Sequence, residues 1–228
     1  MASAFGKSSL IRSATWRPCG SLYFLTMDEG PLDHLRQVEA ACQAGIRWVQ
    51  LRMKQADPDQ FLDIATEAKK ICDEWGCALI INDRVEIAAR IKAHGVHLGK
   101  QDMQPEEARR QLGDDFIIGG TANTVEDIRG HQLAGADYVG LGPYRYTTTK
   151  KNLSPILGLE GYRRIMDQCR REQINIPVIA IGGIGEGDAA PLLATGVQGI
   201  AFSGLLVHAA DRKATIQLLK STINNSLC

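Results

Sequence analysis

The sequence predicts a single (β/α)8 TIM barrel of the α/β class, and three observations lead to that fold class. Short apolar, β-rich segments recur eight times along the 228 residues. Each is followed by an amphipathic segment with the spacing of a helix. The second to fifth apolar segments are nearly continuous apolar runs, which is typical of parallel strands that helices cover on both faces. Eight such alternations fit a compact barrel, with an open doubly wound sheet as the alternative.

The predicted strands follow one another at similar intervals. They are Leu22–Thr26, Trp48–Arg52, Ala78–Asn82, Val96–Leu98, Phe116–Gly120, Tyr138–Leu141, Val178–Ile181 and Gly199–Ser203. Between the second and third strands, Phe61, Ala65 and Ala68 share one helical face. Pro58 and Pro105 fall where helices begin, a position at which the missing N–H costs nothing. Four glycines between a helix and the next strand are predicted helix ends: Gly45, Gly95, Gly135 and Gly196.

The composition excludes several classes of function. The 26 basic and 26 acidic side chains give a formal net charge of zero, whereas a nucleic-acid binder that works by bulk charge is clearly basic. Uninterrupted apolar runs stay well short of the ~18 residues of a membrane span. The motif G-x-G-x-x-G does not follow the first strand, which argues against a dinucleotide-binding Rossmann domain. We therefore expect neither a nucleic acid nor a membrane as a partner.

Residues 1–20 differ from the rest of the chain. They are basic and rich in serine, and they lack the apolar core of a secretory signal. We interpret them as a flexible N-terminal extension, with an organelle transit remnant as the alternative. The catalytic barrel domain is then assigned to residues 21–228. The oligomeric state does not follow from the sequence, and a homo-oligomer is compatible with it.

The cysteines form neither a C-x-x-C pair nor a metal-like cluster. They are Cys19, Cys42, Cys72, Cys77, Cys169 and Cys228. Cys42 and Cys72 fall on apolar helical faces, where cysteine behaves as a small hydrophobic residue. We therefore predict reduced, buried thiols and a reducing intracellular compartment, the cytoplasm.

Polar residues at the end of the second strand predict an anion site. Gln50, Arg52 and Lys54 alternate, so all three point the same way on an extended chain. In a (β/α)8 barrel the active site lies at the carboxyl ends of the strands. Two inward cations there suit a phosphate or diphosphate. The alternative is an ion pair with neighbouring carboxylates of the barrel.

Two carboxylates on the next strands predict a magnesium site. Asn82 and Asp83 end the third strand, and Asp102 follows the fourth. Mg²⁺ prefers one or two carboxylates together with phosphate oxygens, so these residues and a diphosphate could share one ion. Helix capping by Asp83 is the alternative. His97, within the fourth strand, is interpreted as a packing residue of the barrel interior rather than a catalyst.

Two further segments predict phosphate contacts at the same end of the barrel. The loop from Gly142 to Gly158 contains Thr147, Thr148, Thr149 and Lys150, which suit a lid that grips an anion; a solvated surface loop is the alternative. The last two strands run into glycine-containing turns at 182–185 and 203–204. Such turns form the common phosphate site of barrels. Two anionic sites, one of them for a diphosphate leaving group, predict a group transfer between two phosphorylated substrates.

In this order the motifs resemble those of the thiamine-phosphate synthase family, and the resemblance covers residues 22–206. The motifs are Gln50-Leu51-Arg52-Met53-Lys54, Asn82-Asp83, Gly95-Val96-His97-Leu98-Gly99, Gln101-Asp102, Thr147-Thr148-Thr149-Lys150 and Ile181-Gly182-Gly183-Ile184. The resemblance implies that 4-amino-2-methyl-5-(diphosphooxymethyl)pyrimidine is joined to a thiazole phosphate. The products are then thiamine phosphate and diphosphate, with loss of CO₂ if the thiazole carries a carboxylate.

The resemblance also implies residue roles. Residues implied to hold the pyrimidine diphosphate are Gln50, Leu51, Arg52, Met53, Lys54, Asn82, Thr121, Thr147, Thr148, Thr149 and Lys150. Those implied to act in catalysis are Arg52, Lys54, Thr121 and Lys150. Asp83 and Asp102 would ligate Mg²⁺, and Gly183, Phe202 and Ser203 would bind the thiazole phosphate. The family usually has serine where this chain has Thr121, and a small aliphatic residue where it has Phe202.

Three other functions are compatible with the barrel but fit the sequence less well than the synthase. A thiazole tautomerase on the same barrel uses, by resemblance, a histidine near the fifth strand, where this chain has Thr121 to Thr124. An aldolase would use Lys54 as a Schiff base, but its place two residues after Arg52 favours phosphate binding. A barrel that senses thiamine precursors without turnover is disfavoured because Asp83, Asp102 and Lys150 are all present.

Overall fold

The computed structural model describes residues 21–147 and 154–226, and its strands close into a barrel. All eight strands are parallel and neighbour one another in chain order, with β8 returning to β1. They are β1 Leu22–Leu25, β2 Trp48–Leu51, β3 Ala78–Asn82, β4 Gly95–Leu98, β5 Ile117–Ala122, β6 Tyr138–Leu141, β7 Val178–Ile181 and β8 Gly199–Phe202. The predicted barrel is confirmed, and each predicted strand overlaps an observed one.

The core has two layers because successive side chains on a strand point to opposite faces. Tyr23 and Trp48 point into the barrel, where they pack with Tyr138. Phe24 and Val49, one position further along their strands, point outward into the larger layer between the strands and the helices. Both layers are buried, which explains the nearly continuous apolar runs of the sequence.

Helices follow the strands and cover the outside of the barrel. They are α1 His34–Gln43, α2 Pro58–Glu74, α3 Val85–Arg90, α4 Pro105–Leu112, α5 Val125–Leu133, α6 Gly158–Arg171, α7 Ala189–Leu193, α8 Gly204–Val207 and α9 Arg212–Ser226. Pro58 and Pro105 begin α2 and α4, as predicted. Asp33 and Asp57 cap α1 and α2, each accepting a backbone N–H at 2.9 Å.

Three of the four predicted helix-end glycines are confirmed, and the prediction for Gly95 is wrong. Gly45, Gly135 and Gly196 follow helices with φ of 90°, 74° and 103°, a region that favours glycine. Gly95 is instead the first residue of β4. A Cβ there would collide with the Ile117 carbonyl oxygen of β5, so glycine is required for close strand approach.

Replacing Gly95 with alanine is expected to destabilise the barrel by about 3 kcal/mol, because backbone must move to admit the methyl group. Gly130 is the matched control, since it lies inside α5 with open space around its Cα. Gly130→Ala is expected to raise the unfolding free energy by up to ~1 kcal/mol. Urea unfolding of both variants measures the difference. Equal stability of the two variants would contradict this account of Gly95.

The described cysteines Cys42, Cys72, Cys77 and Cys169 are free and buried, as predicted. Cys19 and Cys228 lie outside the described residues, as does the predicted extension at 1–20. Within residues 21–147 and 154–226, helices long and apolar enough to cross a membrane are absent.

Candidate active site

The carboxyl ends of the parallel strands meet at one mouth of the barrel, and the predicted residues collect there. Arg52 and Lys54 follow β2, and Asp83 follows β3. Asp102 lies in the connection after β4, and Thr121 lies near the end of β5. The predicted anion-binding and metal-binding groups of four neighbouring strands therefore share one face of the molecule.

The cations after β2 are surrounded by carboxylates. The Lys54 ammonium forms an ion pair with Asp83, which is the alternative weighed for this strand end. The Arg52 side chain is partly buried. Burial lowers the pKa of its guanidinium from the ordinary value, while the carboxylates of Asp28 and Asp83 oppose that shift. An ion-paired Lys54 suits anion binding better than Schiff-base chemistry.

Asp83 and Asp102 face each other across the ends of β3 and β4. Asp83 has φ of 65° and donates its N–H to the His97 carbonyl oxygen at 2.8 Å. Asp102 accepts the Gly99 N–H at 2.6 Å. Burial opposes ionisation of Asp83, but hydrogen bonds with Asp102 and Lys54 outweigh it and lower its pKa. Burial and the neighbouring Asp83 carboxylate raise the pKa of Asp102.

The two carboxylates fit a magnesium ion whose remaining ligands come from a substrate. Two carboxylates in contact repel each other unless a proton or a cation lies between them. Among the described residues, groups of three or more His, Cys, Asp or Glu side chains able to hold a metal are absent. Mg²⁺ is commonly bound through one or two carboxylates plus phosphate oxygens, so the pair of Asp83 and Asp102 meets that requirement.

A chain of hydrogen bonds crosses the barrel interior beneath the mouth. Gln50 Nε2 donates to the Tyr23 hydroxyl at 2.6 Å, which lies 2.9 Å from the Tyr138 hydroxyl. His97 Nδ1 is 3.0 Å from that hydroxyl, and its Nε2 is 3.1 Å from Thr121 Oγ1. Burial raises the pKa of both tyrosines, which keeps them neutral. The interpretation of His97 as an interior residue agrees with its burial, and the chain connects it to Thr121.

Sequence reasoning missed a polar cluster at the end of β1. The Thr26 hydroxyl accepts the Arg52 N–H at 2.9 Å and lies 3.0 Å from His34 Nδ1. His34 Nε2 is 3.3 Å from Asp28 Oδ1. Asp28 Oδ2 accepts the Lys54 N–H at 3.3 Å. Thr26 and Asp28 alternate after β1 as Arg52 and Lys54 do after β2, and that shared spacing was the signal available in the sequence.

Two residues of the segment Gln50 to Lys54 have side chains that are buried rather than exposed at the mouth. Leu51 lies fully buried in the layer between strands and helices, and Met53 is also buried. Any contact of Leu51 with a substrate is therefore through its backbone. Asn82 is the last residue of β3, beside His97 of β4, and is buried as well.

The ends of β7 and β8 bring the predicted phosphate residues together. The two strands pair directly, with Ile181 opposite Ala201. Gly183 is exposed with φ of 68°, a conformation that favours glycine. Phe202 ends β8 and is buried, with its ring 6.4 Å from that of Phe24. Ser203 follows at the start of α8.

The connection between β6 and α6 is described only at its two ends. Thr147 is the last described residue of its first part, and Thr148, Thr149 and Lys150 lie outside the described residues. The last residues of this connection lie against its first residues, because Leu157 donates its N–H to the Pro143 carbonyl oxygen at 2.9 Å. The roles predicted for these threonines and Lys150 stay predictions.

Known proteins resemble this chain over nearly its whole length. A family model described as thiamine monophosphate synthase matches residues 22–206. A thiamine-phosphate synthase of Bacteroides fragilis is 50% identical over 191 residues, 84% of this chain and 94% of that protein. A thiamine-phosphate synthase of Flavobacterium johnsoniae is 46% identical over 192 residues, which cover 84% of this chain and 90% of that protein. The solved thiamine phosphate pyrophosphorylase from Pyrococcus furiosus has a TM-score of 0.80 at 30% identity, covering 93% of this chain and 99% of that one.

The barrel and the match along its length define the class of protein as a transferase that acts on small molecules. The chain belongs to the thiamine monophosphate synthase family. The predicted synthase activity is therefore confirmed at the level of the family, and the resemblance stated from the motifs is confirmed with it.

Proposed function

We propose that the mouth of this barrel joins a pyrimidinylmethyl diphosphate to a thiazole phosphate and releases diphosphate. The observation that carries this proposal is the contact between Asp83 and Asp102 beside the cations of β2. A diphosphate there would meet two positive side chains, Arg52 and Lys54, and two carboxylates able to share a divalent cation.

In this proposal Asp83 and Asp102 would hold Mg²⁺. When bound there, Mg²⁺ would supply positive charge to balance the negative charge that develops on the departing diphosphate. Lys54 exchanges its ion pair with Asp83 for a diphosphate oxygen, and Arg52 offers its planar guanidinium to the same group. These residues stabilise the leaving group electrostatically and need not move a proton.

The pyrimidine ring is assigned to the space above the hydrogen-bonded chain of the barrel interior. Thr121 is the last residue of that hydrogen-bonded chain, and the contact with His97 fixes the position of the Thr121 hydroxyl. The aminopyrimidine is electron-rich and can stabilise the cationic methylene left by diphosphate. The thiazole nitrogen then attacks that carbon, forming the new C–N bond, while the electron pair of the broken C–O bond leaves with diphosphate.

The thiazole phosphate is assigned to the turns after β7 and β8. Gly183 presents backbone without a side chain, and Ser203 adds a hydroxyl at the start of α8. The ring of Phe202 is buried beside that of Phe24, so any contact of Phe202 with the phosphate is through its backbone. The free thiols of the described cysteines support our proposal that the enzyme works in a reducing cytoplasm.

The test is diphosphate release by the purified protein with both substrates and Mg²⁺, with each component omitted in turn. We expect release only when all three are present, together with a product of the mass of thiamine phosphate. Parallel reactions with the thiazole phosphate and its carboxylated form determine which is used. Substrate binding without diphosphate release would reject the proposal and favour a sensor.

A further inference from the structure

An ion pair fastens the start of the β6–α6 connection to the turn after β7. The Arg145 guanidinium donates to both oxygens of Asp188, through Nη2 to Oδ1 at 2.7 Å and through Nη1 to Oδ2. The Tyr144 ring lies under the guanidinium, with its centroid 4.6 Å from Cζ. Asp188 is only 8% exposed. A bidentate pair of this kind fixes orientation as well as distance.

The backbones of the same two segments are also in direct contact. Tyr144 and Arg145 donate their N–H groups to the carbonyl oxygens of Ile181 and Gly182, both at 2.9 Å. A Cβ on Gly183 would lie 2.8 Å from the carbonyl oxygen of Tyr146 and 2.9 Å from Cβ of Arg145. Residues 143–146 therefore lie directly against the glycine turn, and a shift of either segment moves the other.

Asp188 joins the two segments through a single carboxylate. Its Oδ2 accepts the Gly185 N–H at 2.8 Å, so the carboxylate that pairs with Arg145 also holds the backbone of the β7 turn. Burial alone would raise the pKa of Asp188, but the bonds from Arg145 and Gly185 lower it below its ordinary value. The carboxylate is therefore ionised, and the pair intact, at neutral pH.

We propose that Arg145 and Asp188 are positioning residues that hold the glycine turn at Gly183 in register with the segment leading to Thr147. The inference rests on the proposed function, in which the glycine turn binds the thiazole phosphate and the diphosphate lies instead against the residues that follow β2, β3 and β4. Both residues act through the backbone they hold. The Pro143 and Tyr144 carbonyl oxygens accept backbone N–H groups from Leu157 and Gly158 at 2.9 and 3.1 Å, so the segment stays attached without the pair.

The test uses Asp188→Asn, which removes the charge but keeps an oxygen for the Gly185 N–H, and Arg145→Met, which removes the guanidinium. Each variant is expected to raise KM for thiazole phosphate and to lower kcat, with a fall in kcat/KM of about 10- to 100-fold, the scale of a small misplacement of reacting groups. The KM for the pyrimidine diphosphate should change much less. The double variant should be no worse than either single one, because the two residues act as a unit.

Arg129 and Glu172 provide the matched control. They form another ion pair between distant segments, joining α5 to the end of α6 away from the mouth. Arg129→Met and Glu172→Gln should leave kcat and both KM values at those of the wild type. Kinetic constants of the Arg145 and Asp188 variants that match these controls, or a lower melting temperature with KM unchanged, would overturn the inference.

Calorimetric titration with thiazole phosphate alone separates this inference from the proposed function. Asp188→Asn and Arg145→Met should weaken binding, whereas the control variants should bind as the wild type does. If the wild type binds thiazole phosphate but makes no product, the proposed function fails and the binding comparison still decides the inference. Equal affinity in all variants, or no binding by the wild type, overturns the inference.

Discussion

Replacing either Asp83 or Asp102 with asparagine is expected to reduce turnover by about 10²- to 10³-fold, the scale of losing one positioned electrostatic group. The two carboxylates are in contact. In the proposed function each supplies charge to a shared magnesium ion. Asparagine keeps the shape of the side chain and tolerates the φ of 65° at position 83. At position 102 its oxygen can still accept the Gly99 N–H, so the backbone there should be unchanged.

A magnesium titration distinguishes loss of metal binding from loss of fold. The concentration of Mg²⁺ that gives half the maximal rate should rise in both variants. Stability should change little, because Asp83→Asn loses an exposed ion pair worth about 1 kcal/mol or less and also relieves repulsion between the carboxylates. Asp73→Asn is the control, since Asp73 pairs with Lys69 on α2 away from the mouth. Wild-type rates and an unchanged Mg²⁺ requirement in both site variants would remove the metal assignment.

The architecture of the barrel could be predicted because its determinants are local. Each strand of β2 to β5 is a nearly continuous apolar run that is buried on both faces. Pro58 and Pro105 have the fixed φ that suits the first position of a helix. The role of Gly95 does not follow from the sequence, because two different physical requirements select glycine between a helix and a strand. A glycine between a helix and a strand can end the helix or make room for a neighbouring strand, and only the pairing with Ile117 distinguishes them.

The candidate site could be predicted in part, because alternation along a strand places side chains on a common face. Alternation predicts that Arg52 and Lys54 lie at the mouth of the barrel. The positions of Asp83 and Asp102 after β3 and β4 predict that their carboxylates lie there too. Alternation does not identify Arg145 and Asp188 as a pair, because their contact depends on the side-by-side placement of β6 and β7. An ion pair between two such elements can be predicted only when the order and register of the strands are known.

Replacing Arg52 with methionine is expected to lower kcat/KM for the pyrimidine diphosphate by about 10²- to 10³-fold, because a partly buried guanidinium is removed from beside the departing anion. Methionine preserves much of the apolar stem, so packing should change little. The carboxylates of Asp28 and Asp83, which face the guanidinium, would then repel a diphosphate without compensation. Arg52→Lys keeps the charge but loses the planar fork, and we expect an intermediate loss of about 10-fold.

Arg47 is the matched control, because it precedes β2 and so lies at the opposite end of the same strand. Its Nη1 donates to the Ile46 carbonyl oxygen at 3.0 Å. Arg47→Met should leave both kinetic constants unchanged, although it removes the same charge from a residue that flanks the same strand. Steady-state rates at several salt concentrations complete the test, since the loss caused by Arg52→Met should persist in high salt if the guanidinium contacts the diphosphate directly. A loss that disappears as salt screens long-range attraction would instead mean that Arg52 only draws the substrate toward the mouth.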